Sequence, residues 1–347
     1  MTPHQDDSGA DHWQSNTPCP PVPERNFAAQ RVTLRGLLVA AIVLPCLYVV
    51  VMSFTDLKAR EADAADMAAR NARVAEEHAL KVFDLSQTLN ARVLDLIEGE
   101  DDATLRRYEA NIHEKLKMMG GGYPQVASVS IFGVDGRLVA TSRLFPAPNL
   151  SIADRADFIG LRDNPMLEQV SRVMTGHVGG ESVFHTAEPR KTLDGRFSGI
   201  VSIALRPAYF GTFYREFLGE DSTVSLGLTR SDGAVLAWYP PRPPDRMELA
   251  PASALRRAYV SGSRSGVLEM RSAVDNEMRI VAYRRVGSYP VYVSSGYPVA
   301  TIWAAWYRHV AVLMLSMFAP CIVLWGVIGV ALRRLAAEEE AWERWQA

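Results

Sequence analysis

Between Ser151 and Met174 the chain reads SIADRADFIGLRDNPMLEQVSRVM, and three of these residues have a spacing that allows binding chemistry. Arg155, Phe158 and Arg162 follow one another at three and four residues, the repeat that puts side chains on one helix face. Asp154 is placed to cap such a helix, and Asp157 falls in its first turn, where the dipole favours negative charge. Two guanidiniums turned toward a sheet clamp a carboxylate through paired N–H donors, with Phe158 as an apolar wall. The same spacing also fits a solvated face whose arginines pair with Asp154 and Asp163. A second stretch, GGESVFHTAEPR from Gly179 to Arg190, alternates like a strand, with Val183 and His185 on one face and Phe184 on the other. His185 would titrate near neutrality. The ordinary role of a lone strand histidine, however, is a structural hydrogen bond.

No catalytic constellation accompanies these residues. The seven histidines form no HExxH or other metal spacing, and no Gly-x-Ser-x-Gly elbow occurs. Gly120-Gly121-Gly122 lacks the Lys-Ser/Thr of a phosphate cradle, and the Asp-Gly pairs at 135, 194 and 232 are explained by turn chemistry. Cys19, Cys46 and Cys321 lie far apart, so residues 55–309 hold no disulfide and no cysteine metal site. No cofactor is read from the sequence. A formal charge of -2, from 37 basic and 39 acidic side chains, lacks the footprint of a dedicated nucleic-acid binder.

Two apolar runs frame whatever positions the site. Gly36–Phe54 has nineteen residues without a charge and Val310–Leu332 twenty-three, each enough to cross a bilayer core of about 30 Å. Arg31 and Arg35 precede the first run, Arg333 and Arg334 follow the second, and Trp303, Trp306 and Tyr307 sit at the edge of the second. The first is too long, and its leading segment too extended, for a cleaved signal peptide. Both termini are therefore expected in the cytoplasm, with the middle of the chain outside.

Residues 1–35 are polar and proline-rich, the composition of a disordered tail. From Asp56 to Glu98 there is no Gly or Pro. Met67, Val74, Val82, Leu85, Leu89, Val93 and Leu96 recur at helical spacing, predicting one long amphipathic helix that stops at Gly99. It either covers a sheet face or also pairs with its copy in a homodimer. A second helix is expected near Ala103–Met118. Then VASVSIFGVDGRLVATS, from Val126, reads as a hairpin around Asp135-Gly136. The pattern returns 97 residues later as TVSLGLTRSDGAVLAWY, and GIVSIALRP at Gly199 finds a counterpart in YVSSGYP at Tyr292. Two correspondences at similar offsets predict a duplicated α+β unit of antiparallel sheets.

A membrane-emergent helix, two tandem sheets and a returning span resemble the double Cache (PDC) sensor domain of bacterial transmembrane receptors, over about 56–306. The marker segments are Asp154-Arg155-Ala156-Asp157-Phe158, DGRFSGIV at Asp194 and LRPAYF at Leu205, together similar to the variety attached to histidine kinases and diguanylate cyclases. The resemblance implies an α+β chain with two tandem PAS-like antiparallel-sheet subdomains on a long N-terminal helix, flanked by two transmembrane helices. It divides into a tail (1–35), a span (36–54), a stalk helix (55–98), a membrane-distal subdomain (99–215), a membrane-proximal subdomain (216–309), a second span (310–332) and a linker stub (333–347). In such domains the strand through His185 and Arg190 lines the distal pocket. Arg155, Phe158, Arg162, His185 and Arg190 are thus the expected contacts of a small, anionic solute. The fifteen residues after Leu332 carry no kinase or cyclase signature, so output is expected from a cytoplasmic kinase or cyclase partner or a continuation of the chain. The alternatives are a membrane-anchored periplasmic solute-binding or scaffolding protein without signalling output, and an anchored enzyme, which would need a nucleophile–base pair in the pocket.

Overall fold

The computed structural model describes residues 26–164, 169–176, 179–219, 223–272 and 275–346. The expected tail lies outside them up to residue 25. Residues 27–35, read from sequence as part of that tail, are the opening turns of a helix. In chain order the elements are α1 (Phe27–Leu96), α2 (Asp102–Arg107), α3 (Glu109–Gly120), β1 (Val126–Phe132), β2 (Leu138–Thr141), α4 (Ala156–Asp163), β3 (Gln169–Val170), β4 (Met174–Thr175), β5 (Ser182–Lys191) and β6 (Phe197–Leu205). Then follow α5 (Pro207–Leu218), β7 (Ser225–Arg230), β8 (Val235–Tyr239), α6 (Ala254–Val260), β9 (Ser265–Arg271), β10 (Met278–Arg285), β11 (Val291–Pro298) and α7 (Val299–Gln346). The chain divides into two compact units, one of residues up to 52 with those from 310, the other of residues 53–309.

In the first unit, the apolar windows of α1 and α7 have mean hydropathies of 2.7 and 2.3, and both helices are long and apolar enough to cross a membrane. Trp325 Nε1 donates to the Ala41 carbonyl at 3.2 Å, and Arg31 pairs with Glu339. Pro45 and Pro320 are carried inside the helices.

The second unit is two antiparallel sheets laid along one side of α1. The first runs β2-β1-β6-β5-β3, with β4 also paired to β5, and the second runs β8-β7-β11-β10-β9. The shared order places each hairpin beside the last strand of its own unit, as duplication requires. Lone bridges at Arg137–Ser151 and Ala234–Glu248 occupy matching places in the two copies. The Asp-Gly turns hold glycines at φ 75° (Gly136) and 96° (Gly233), a region closed to most side chains. At Gly136 a Cβ would also come within 2.8 Å of the Ala153 backbone.

The seam of α1 differs from expectation along its first half. Met67 and Val74 are exposed, while Ala64, Ala68, Ala72, Ala75 and Ala79 are buried. Alanine lets the helix backbone approach the second sheet closely, with Ala68 and Ala72 against Ala282. Larger residues, Phe83, Leu89 and Val93, take over against the first sheet. That sheet's opposite face is covered by the loop after β2 and by α4, through Phe132, Leu138, Ile152, Phe158, Leu161 and Ile200. The expected second helix is two, α2 and α3, broken at Tyr108. α5 docks on α1 by aromatic stacking: the His78 ring lies 3.7 Å from Phe213 with planes 2° apart, and 5.4 Å from Tyr209. The two sheets meet where Arg230 donates to the Val170 carbonyl and Arg172 pairs with Asp232 at 3.1 Å and Glu248 at 3.3 Å.

Candidate functional site

A cleft opens on the face of the first sheet turned away from α1. Strand alternation puts Ser128 and Ser130 of β1, Ser202 and Ala204 of β6, and Val183 and His185 of β5 on its floor. Arg143, Arg155 and Glu181 stand at its rim, and the enclosed cavity is about 40 Å³, little more than one water.

Arg155 carries the polar centre. It is not a helical residue but the N-cap of α4, with extended backbone (φ -75°, ψ 136°) and no capping side chain. Its guanidinium holds Asp157 through two donors, Nε at 3.0 Å from Oδ1 and Nη2 on Oδ2. Burial works against the Asp157 charge, but the Arg155 bonds and charge, with His185 nearby, more than offset it and hold the carboxyl below its usual range. His185 is half-buried beside Ser171: its backbone N–H donates to Ser171 Oγ at 2.8 Å, and its Nδ1 lies 3.4 Å from the same oxygen. The Ser171 hydroxyl donates to the Arg172 carbonyl at 2.9 Å. The proton goes to that carbonyl rather than to the ring nitrogen, so Ser171 and His185 lack the arrangement of an activated nucleophile. Ser202 Oγ is buried in the floor with no hydrogen-bond partner among the described residues. Buried hydroxyls are ordinarily satisfied, so this one becomes a partner for a bound molecule once a movement uncovers it.

The structure brings Arg155 and His185 together and separates the other three candidates. Asp154 does not cap α4, since the helix begins one residue later with Arg155 as its boundary. Arg155 therefore leaves the helical face on which Arg162 was expected to join it. Arg162 is exposed and pairs with Asp163 at 3.0 Å, the solvated arrangement that the same spacing allowed. Phe158 is a core residue, edge-on to Phe197 at 5.7 Å, and lines no part of the cleft. Arg190 sits on the other face of the sheet, because an odd separation along a strand reverses sides. There it is 3% exposed, paired with Asp102 at 2.8 Å and donating to the Phe132 and Glu100 carbonyls. Ser202 belongs to the cleft without having been a candidate, and Asp157 supports it from behind through Arg155; the alternation of Ile200, Ser202 and Ala204 along β6 is the signal that would have found the serine.

No protein-family model and no curated protein matches the chain. Solved structures do. The extracellular domain of a candidate histidine kinase, rpHK1S-Z16, superposes with a TM-score of 0.55 at 25% identity, covering 72% of this chain and 99% of that one. The ligand-binding domain of the Campylobacter jejuni chemoreceptor Tlp3 in complex with L-valine gives 0.50 at 11% identity, over 72% and 98%. That of the Pseudomonas fluorescens chemoreceptor CtaA in complex with L-isoleucine gives 0.50 at 12%, over 73% and 99%. The class is thereby defined: residues 53–309 have the tandem-sheet fold of a double Cache sensor domain. Two apolar helices long enough to span a membrane flank that domain, the arrangement of a membrane receptor.

Proposed function

We propose that this chain is a signal receptor of the bacterial inner membrane, with both termini cytoplasmic and residues 53–309 in the periplasm, binding a small solute in the cleft of the first sheet. The supporting observation is the cluster of Arg155, Asp157, His185 and the unpartnered Ser202 Oγ on one sheet face. Arg143 and Arg155 with Glu181 around the cleft supply both signs of charge for the two ends of a zwitterion, so an amino acid is the solute class that fits best. On this reading the first sheet is the membrane-distal one, which is supported by the packing of the second on α1 and α7 through Ala64, Ile280 and Ile302.

A cavity of about 40 Å³ admits an amino acid only if its cover moves. Binding is therefore tied to displacement of the loop after β2 and of α4, and a solute shifts the receptor by its differential affinity for the two arrangements. In a homodimer along α1, that shift would pass through α1 and α7 to a cytoplasmic kinase or cyclase partner. A role in binding is supported by the contact between Ser171 and His185, whose hydrogen bonds hold the strand.

The test is calorimetric titration and thermal unfolding of the full chain in lipid nanodiscs with the twenty L-amino acids. At a hundredfold excess over Kd a ligand adds about 2.7 kcal/mol, or roughly 5–10 °C. Ser202→Ala and His185→Asn should each weaken binding about tenfold, and Arg162→Ala should leave it unchanged. Equal affinity in wild type, Ser202→Ala and His185→Asn would refute the cleft.

A further inference from the structure

The second sheet holds a cavity of its own, of 350 Å³, on the face turned away from α1. That lies within the range of about 300–1,000 Å³ typical of small-molecule sites. Trp238 forms one side, laid against the backbone of Gly227, where a Cβ would stand 2.1 Å from the ring. The Arg242 guanidinium carbon sits 4.2 Å from the indole centroid. Its Nε and Nη1 are shut off from solvent and have no hydrogen-bond partner among the described residues.

An arginine cannot shed its proton to escape such a setting. Burial, then the charge of Arg246, pulls its pKa down, and the nearby charge of Asp275 restores only part of the loss. The acid that lines the cavity, Asp275, is committed elsewhere: Arg279 holds it at 2.6 Å while donating to the Thr223 carbonyl at 2.9 Å. Arg242, Arg271 and Arg279 against Asp275 leave the lining net positive, and Leu249, Leu255, Met270 and Val281 supply apolar wall.

A shielded cation whose nearest carboxylate is held by another arginine is costly in the folded chain and becomes favourable when an anion arrives. We propose that this second cavity binds a small organic monocarboxylate, its carboxylate drawn to the Arg242 guanidinium and its apolar body against Trp238, Leu255 and Val281. The site is separate from the cleft of the first sheet and does not depend on what that cleft binds. The domain then reads two solutes of different chemistry, one in each copy of the duplicated unit.

The experiment titrates the full chain in nanodiscs with benzoate, phenylacetate and hexanoate, and with their neutral amides. At least one acid should bind with a Kd below about 1 mM and its amide at least about tenfold more weakly. Arg242→Gln should lose about tenfold or more, whereas His185→Asn, in the first cleft, should leave the titration unchanged. Without ligand, Arg242→Met should unfold no lower than wild type, because removing a buried charge offsets the lost contact with Trp238, on which the methionine still packs. The proposal is overturned if none of the three acids binds, if the amides match them, or if Arg242→Gln binds as wild type. A loss on His185→Asn, or an early-melting Arg242→Met, overturns it too.

Discussion

Acidification should loosen the contact between α1 and α5 through a single residue. The His78 ring is stacked on Phe213 and Tyr209, and burial, with the charge of Lys81 second, lowers its pKa to about 4. An unfolded histidine titrates near about 6.5, so between those values the unfolded chain binds the extra proton and stability falls as pH falls. The contribution is complete above about 6.5 and is lost on the way down to about 4. For pKa values of about 4 and about 6.5, the loss between pH 8 and pH 5 works out at about 2 kcal/mol, or roughly 4–8 °C in the unfolding midpoint. His78→Phe keeps an aromatic ring in the stack and removes the titration. Unfolding of both proteins in nanodiscs, followed by near-ultraviolet circular dichroism at pH 8 and pH 5, isolates the effect as the difference between their two losses. If the variant loses as much stability as wild type over that interval, the buried neutral imidazole is not what links this contact to pH.

Arg190→Met should cost about 3 kcal/mol of stability, since it takes the donor from Asp102 Oδ1 and from two carbonyls that a buried guanidinium now serves, while Arg162→Ala should change stability by less than about 0.5 kcal/mol. Denaturant unfolding of both variants checks this, and comparable losses would mean that Arg190 is not the tie described. Gly227→Ala should displace the Trp238 ring, costing about 1–3 kcal/mol and quenching or shifting the tryptophan emission, which fluorescence during unfolding reads directly. Asp275→Asn should be less stable than wild type at neutral pH. Because the Asp275 pKa is held at about 2, against burial, by its hydrogen bonds and the Arg279 charge, the gap should close as pH falls from about 4 to about 2. A gap that persists at pH 2 would count against that pairing.

The duplicated architecture was legible because turns and spans leave local marks. Asp135-Gly136 and Asp232-Gly233 sit in hairpins that need a positive φ, and uncharged runs have no other ready explanation in a chain of this composition. The seam of α1 was misplaced because large apolar residues mark a face more visibly than alanines, although it is the alanines that come closest to the sheet. In the cleft, the Arg155–Arg162 pairing failed on one residue of helix boundary, a position that spacing alone does not settle. The separation of His185 from Arg190 could have been read from parity along the strand. Arg242 had no such signal. It lies in the proline-rich run after β8, and only the folding of that run back over Trp238 gives its charge an address.

The junction at Arg172 ties the two copies together by a thread of adjacent residues. Ser171 grips the strand that carries His185, and the very next side chain reaches across to Asp232, in the hairpin turn of the second copy, and to Glu248, itself bonded to Arg256 of α6. These bonds are partly open to solvent, and at physiological ionic strength screening acts over about 8 Å. The stiffness of the coupling is thus set in part by the surrounding salt: low ionic strength tightens the clasp between the two halves, and high ionic strength lets them move more independently.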